Sequence, residues 1–209
     1  MGATTTLSEL TSRQFLSRLD TYLAIYADAM DADPSLLPGR RELMRRHAAC
    51  PGFRALVARE AGREAEGAGR GQVVGFAYGF HGQGGQWWYD AVWTALARSV
   101  GVACAATWLA DCLEIAEVHV YKRHQRAGVG TRMLMTLTSG RAERTAVLST
   151  PDRDTTARRL YRRLGFSELL TGYNFPGGSP PYIVMGAELP LSDAAAAAAR
   201  PLSASPSIS

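Results

Sequence analysis

Residues Glu114 to Gly140 read EIAEVHVYKRHQRAGVGTRMLMTLTSG: a strand, a short basic loop and a helix. Ile115, Val118, Val120 and Tyr121 are β-branched or aromatic, the residue types that fill a buried strand. Gly128 and Gly130 fall where the helix should begin. Behind them Val129, Met133, Leu134 and Leu137 recur at helical spacing, and Gly140 is a suitable stop. The first N–H groups of a helix have no partner inside it, and the helix dipole makes that end positive. Glycine lets the backbone approach a ligand without a Cβ clash. Such a turn cradles phosphate oxygens. Lys122, Arg123, Arg126 and Arg132 are expected to surround it with positive charge.

A GxG after a strand carries little weight alone. A dinucleotide fingerprint needs a third glycine, and Met133 stands in its place; there is no Gly-Lys-Ser/Thr for a nucleoside triphosphate either. A second block, Asp154 to Phe166, reads DTTARRLYRRLGF. Gln125-x-x-Gly128-x-Gly130, following Glu-Val-His-Val, resembles the acetyl-CoA signature of the GNAT acyltransferases, which opens with Arg or Gln. The second block is similar to the last helix of that family in its Ala, Leu-Tyr and Gly-Phe. It departs from the family at Asp154, where Asn is usual. The resemblance is specific over Glu114 to Phe166.

The resemblance implies an α/β (α+β) fold of GNAT type. That is a mixed, mostly antiparallel central sheet with helices on both faces and a parallel pair of strands at the acetyl-CoA site. It implies transfer of an acetyl group from acetyl-CoA to a primary amine by direct attack, with no metal. The diphosphate would sit on main-chain amides of Arg126, Ala127, Gly128, Val129, Gly130 and Thr131, with Gln125 opening the loop. The thioester would lie along Val118, His119 and Val120, and an N–H there would face the carbonyl oxygen. Asp154 and Tyr161 complete the expected cofactor contacts. Glu117 is the first candidate to take the amine's proton, directly or through water, and His119 the second. Strand alternation puts Glu117, His119 and Tyr121 on one face. Tyr161 stands where the family has a tyrosine near the CoA sulfur, as acid for the thiolate. The alternative is a non-catalytic acyl-CoA sensor or interaction module.

The chain has 209 residues, a net charge of +4, 46% hydrophobic and 20% charged residues. These are ordinary values for a globular domain with a full core. The sequence pI is about 9.2, but the arginines cluster at the two motifs, so nucleic acid is not expected as a partner. Cys50, Cys104 and Cys112 form no CxxC pair, which fits reduced thiols in cytoplasm. MGATTTLSEL lacks the pattern of a signal peptide, and Val100 to Leu113 is too short to span a membrane. Residues 1–190 are read as one domain and 191–209 as a disordered Ala/Ser/Pro tail. The acceptor stays open between a small molecule and a protein, and the assembly between monomer and homodimer.

Along the chain, Thr4 to Leu10 is read as a first strand. A helix capped at Thr11 or Ser12 follows, turning Phe15, Leu16, Leu19, Leu23 and Tyr26 inward. Arg40 to Cys50 is a second helix. Phe53 to Glu60 and Val73 to Tyr78 pair as a hairpin across a flexible Ala61–Gly71. Gly79 to Gln86 is expected to be mobile. A helix of two or three turns follows Trp87. In this region Trp87, Trp88 and Asp90 are expected to shape the acceptor pocket, since aromatic walls and a carboxylate suit an amine. Thr145 to Ser149 is a strand parallel to the central one, because a helix joins them. Asp154 is expected to cap the next helix, and Glu168 to Phe175 and Tyr182 to Leu189 are two closing strands.

Overall fold

A computed structural model describes residues 5–60, 71–177 and 180–192. Thr4, the Ala61–Arg70 part of the expected connection and positions 193–209 of the expected tail lie outside these. Leu191, at the head of that tail, is still buried against the core.

The chain opens with β1 (Thr5–Leu10), then α1 (Ser12–Leu16), α2 (Leu19–Met30) and α3 (Leu37–His47). Thr11 caps α1 in a reciprocal capping box with Gln14. The single helix expected here is two. The Ser17 hydroxyl donates to the Gln14 carbonyl, closing the first turn, and Leu16 is left 41% exposed rather than buried. Next come β2 (Arg54–Glu60), β3 (Val73–Gly82), α4 (Trp87–Val100), α5 (Val102–Leu109) and β4 (Cys112–Val120). The chain ends with α6 (Val129–Thr138), β5 (Thr145–Pro151), α7 (Thr156–Arg163), β6 (Ser167–Tyr173) and β7 (Tyr182–Glu188).

The seven strands form one sheet in the order β1-β2-β3-β4-β5-β7-β6. Every pairing is antiparallel except β4 with β5, as expected for strands joined by a helix. Gly79 to Gly82 is not mobile: it is the second half of β3, paired to β4. A Cβ on Gly79 would come within 2.6 Å of the Glu114 carbonyl oxygen, so glycine there permits the close approach of two strands.

Helices cover both faces. On one, Val129, Met133, Leu134 and Leu137 of α6 join Tyr161 and Leu164 of α7 against Leu113, Ile115 and Val120. On the other, Phe15, Tyr22, Tyr26 and Met44 pack on Phe76, Tyr78 and Phe80. The inserted pair α4–α5 covers the rest of that face, with Val92, Leu96, Ala105 and Leu109 on Val147 and Val184. Burying each of these large side chains stabilises the fold by roughly 1.5–3 kcal/mol before entropy is counted.

Candidate active site

Strand β4 carries a break in its register. Tyr78 faces Glu117 and Gly79 faces Ile115, so Ala116 is an extra residue, a β-bulge. The bulge coincides with a separation of strands. β4 pairs with β5 only over Cys112–Glu114; beyond that point β5 continues along β7 alone. The edge of β4 from Ala116 to Val120 is therefore unpaired on the β5 side. Val118 and Val120 stay on the α6 face, while Glu117 and His119 point to the α2–α3 face.

At the end of β4 the chain turns into α6. Arg126 and Gly128 both take the left-handed conformation, at φ 60° and 76°. Gly128 is the N-cap and no side chain caps the helix, so the first-turn amides of Val129, Gly130 and Thr131 are free for a ligand. No heavy atom lies within 4 Å of where a Gly128 Cβ would be, so nothing but the ligand's own approach and the backbone angle demands glycine there. This cradle fits a diphosphate. Its basic rim differs from the expectation. Lys122 pairs with Asp31, Arg123 lies over Tyr121 and bonds Gln72, and Arg132 turns back to the Thr5 carbonyl. Arg126 remains at the loop, and Arg163 arrives from α7, donating to the Thr131 hydroxyl at 2.8 Å. The Gln125 amide donates to the Val120 carbonyl, closing the loop on the strand.

Glu117 is nearly sealed from solvent, its side chain 4% exposed. One carboxylate oxygen accepts from Arg40 at 2.8 Å, and the other meets His119 Nε2. Burial pushes the carboxyl up, but His119 and then Arg40 outweigh it and hold Glu117 below the ordinary carboxylate value. Arg40 also donates to the Tyr26 hydroxyl at 3.0 Å and lies over that ring. His119 stands edge-on to Tyr26 and against Phe76. Beside this group, His47 Nδ1 meets the Tyr78 hydroxyl at 3.1 Å, and burial pushes the His47 imidazole down to about 4. None of Arg40, Tyr26, His47 and Tyr78 is expected at the site from sequence, where Tyr26 reads as core, Tyr78 as part of a strand and Arg40 and His47 as parts of a helix. All but Tyr78 come from the helical segment between β1 and β2, for which the motifs speak no word.

Tyr161 is buried at the far side of the free edge, against Phe166. Burial, and then the Glu117 charge, push its phenol up to about 12, so the hydroxyl keeps its proton. Leu160, the residue before it, approaches within 3.3 Å of where a Gly130 Cβ would be, which sets α7 against the start of α6. Asp154 does not cap α7: Thr155 does, accepting from the Arg158 amide, and Asp154 is exposed and paired with Arg159. Trp88 donates its indole N–H to the Ser149 hydroxyl at 3.0 Å, on β5 where the strands part. Asp90 accepts from the Gly85 amide and so holds the loop before α4. Trp87 is 59% exposed and packs on Phe175. Trp87 and Asp90 line an open groove of about 590 Å³ along α4, together with Thr94, Arg98, Tyr173 and Pro176. Among the described residues no cluster of His, Cys, Asp or Glu could hold a metal, and no helix is long and apolar enough to cross a membrane.

A splayed central strand, an uncapped glycine turn at its end and a protonated tyrosine across the gap define an acyltransferase that uses a CoA thioester. The family model described as an acetyltransferase (GNAT) domain matches residues 51–168. A GCN5-like protein acetyltransferase of Mycobacterium tuberculosis is 34% identical over 191 residues, which span 83% of this chain and 93% of that one. The chain belongs to the GNAT acetyltransferase family. Its fold is like that of NAA60 of Arabidopsis thaliana in complex with a bisubstrate analogue, at TM-score 0.59 and 15% identity over 88% of this chain and 98% of the other. It is also like that of the ribosomal-protein-S18-alanine N-acetyltransferase of Escherichia coli, at TM-score 0.55 and 17% identity over 88% and 94%. The family membership carries acyl transfer from acetyl-CoA with it.

Proposed function

We propose that this chain is an N-acetyltransferase whose acceptor is a protein amino group. The observation that carries this is the pairing of a buried carboxylate and an imidazole, Glu117 with His119, on one side of the free β4 edge, with Tyr161 on the other. An acceptor amine is an ammonium at neutral pH and must lose a proton before it attacks. The Glu117–His119 pair supplies a place for that proton, a role typically worth about a hundred- to ten-thousand-fold in rate. Main-chain amides of the α6 start hold the diphosphate of acetyl-CoA, and an N–H of the Val118–Val120 edge faces the thioester oxygen, where such a donor contributes about a hundred- to a thousand-fold. The amine nitrogen bonds to the acetyl carbon, the carbon–sulfur bond breaks, and the thiolate takes the Tyr161 proton. Tyr161 regains a proton from the new amide nitrogen.

A protein acceptor is favoured by the relative described as a protein acetyltransferase and by the open groove of about 590 Å³ at Trp87 and Asp90. We read residues 1–190 as one domain, and the free thiols of Cys50, Cys104 and Cys112 fit a reducing cytoplasm. The test is thiol release from acetyl-CoA over a panel of alkyl amines, free amino acids and peptides with a lysine or a free N-terminus. Turnover confined to peptides is expected. Tight acetyl-CoA binding without thiol release for any amine would instead favour the sensor reading.

A further inference from the structure

We propose that Arg40 is a positioning residue for the acetyl transfer: it fixes Glu117, Glu117 fixes His119 with Nδ1 bare, and His119 takes the proton of the acceptor ammonium. This rests on the amine-acceptor reading above. It also changes which residue is the base, because Glu117 came first in the sequence expectation.

The reasoning starts from the carboxylate. A carboxylate only accepts hydrogen bonds, and both Glu117 oxygens are taken, one by Arg40 at 2.8 Å and one by His119 Nε2. The nitrogen that meets it must therefore carry the hydrogen. In the neutral ring the other nitrogen, Nδ1, then holds the lone pair, which is the state a base needs. A carboxylate with both oxygens so held is a poor proton acceptor itself, and His119 first and then Arg40 hold Glu117 below the ordinary carboxylate value against the effect of burial. It serves better by stabilising the imidazolium that forms, as in a Ser-His-Asp triad.

Arg40 is what makes the carboxylate's orientation single-valued. It comes from α3, 77 residues away in sequence, and its second nitrogen is pinned by the Tyr26 hydroxyl at 3.0 Å. Tyr26 in turn stands edge-on to His119, so the same two residues set the ring's position and its tautomer. The titratable groups within electrostatic reach of the pair are Tyr26 from α2, Arg40 and His47 from α3, Tyr78 from β3, Tyr182 from β7 and, from the other face of the sheet, Tyr161 of α7. Of these Arg40 alone carries a fixed positive charge; Glu117 and Tyr26 hold it charged against the cost of burial. Arg40 and Tyr26 lie on α3 and α2, ahead of the stretch 51–168 matched by the family model.

The balance is simple. The ammonium gives one proton to His119 Nδ1, the ring becomes an imidazolium bonded to Glu117, and the freed lone pair attacks the thioester. Product release returns the proton to water.

The test reads the ring directly. The chain has 4 histidines, so in nitrogen-15 histidine-labelled protein His119→Asn identifies the signals of His119 by their loss. The wild type is expected to show one tautomer, with hydrogen on Nε2. In Arg40→Ala the two tautomers mix, because the carboxylate that fixes the ring has lost its anchor. With poly-L-lysine as the probe amine, kcat falls about a hundred-fold while the acetyl-CoA KM is unchanged. Added guanidinium chloride restores part of the rate. Should Arg40→Ala not fold, Arg40→Lys carries the same readouts with a smaller effect. A wild-type ring with hydrogen on Nδ1, or variants whose tautomer and rate match wild type, would overturn the proposal. Silence toward every amine with the Nε2–H tautomer intact would overturn the acceptor reading and the base role of His119 with it, while an Arg40-dependent tautomer would still show that Arg40 sets the ring.

Discussion

Glu114 is the buried acid that the chemistry does not use, and its own contribution to stability falls as pH rises. It lies on β4 at the last residue paired to β5, 4% exposed, with Oε2 lacking any hydrogen-bond partner. Burial pushes its carboxyl from 4.5 up to about 8. The folded protein thus keeps this proton to about pH 8, while the unfolded chain releases it near 4.5. Between those limits Glu114 holds its proton only in the native state, so its contribution to stability drops with rising pH by about 1.4 kcal/mol per unit. From pH 5 to pH 8 the loss is roughly 4 kcal/mol, a large part of a typical domain's 5–15 kcal/mol.

Glu114→Gln removes the titration and keeps the shape. The buried amide costs about 1–3 kcal/mol wherever it is left unbonded, but this cost does not depend on pH. The variant is therefore expected to match or trail wild type at pH 5 and to lead it at pH 8. The difference between the two proteins should climb by about 4 kcal/mol across that range. Urea unfolding at pH 5, 6, 7 and 8 at one ionic strength measures it. Groups not coupled to Glu114 contribute to both curves and cancel in the difference, and the coupled Cys50, Tyr78 and Cys112 are all pushed up, away from this pH range. A difference that stays flat within about 1 kcal/mol refutes the reasoning, and a difference that falls means Glu114 is ionised and paired in the folded state.

Two more expectations follow from the site. Tyr161→Phe should lower kcat about a hundred-fold with unchanged CoA binding, since only the phenol's proton is lost from a packed ring; full turnover would remove Tyr161 as the acid. Gly128→Val should cost about 1–2 kcal/mol for a left-handed position and weaken CoA binding in calorimetry, because it adds bulk at the turn proposed to hold the diphosphate. Unchanged affinity would move the diphosphate off the α6 start.

The parts of the site that sequence makes legible are local ones. The β4–α6 turn is set by residues within one short stretch: β-branched strand, left-handed glycine, amphipathic helix. The α7 block is equally compact. Yet Thr155, not Asp154, is the cap, because adjacent residues can both cap and only the helix register chooses. Glycines mislead for a similar reason. Gly79 and Gly82 look like a loop, but their role depends on what lies across the ladder, Glu114 and Cys112. Arg40 is illegible for a stronger reason. It is one of many arginines, and its partner is fixed only when α3 folds across β4. No periodicity or spacing encodes a contact of that range. Trp88 is half legible: its aromatic bulk is plain, but its bond to Ser149 needs the strands to part beneath it.

Why the strands must part can be argued from the faces of the sheet. The helices that end in the diphosphate cradle and in Tyr161 lie on one face, with Val118 and Val120. Glu117, His119 and the α2–α3 wall lie on the other. On the proposed reading, a donor gripped from one side and an amine deprotonated from the other can meet only where the sheet has a gap. A zipped β4–β5 ladder would close that gap and occupy the β4 edge amides with β5 carbonyls. The Ala116 bulge comes just past the last β4–β5 pair and turns Glu117 and His119 toward Arg40 while Val118 keeps its place in the core. Deleting one residue from this bulge would flip every later side chain of β4 to the wrong face. The extra residue is thus the single local feature on which both halves of the reaction depend.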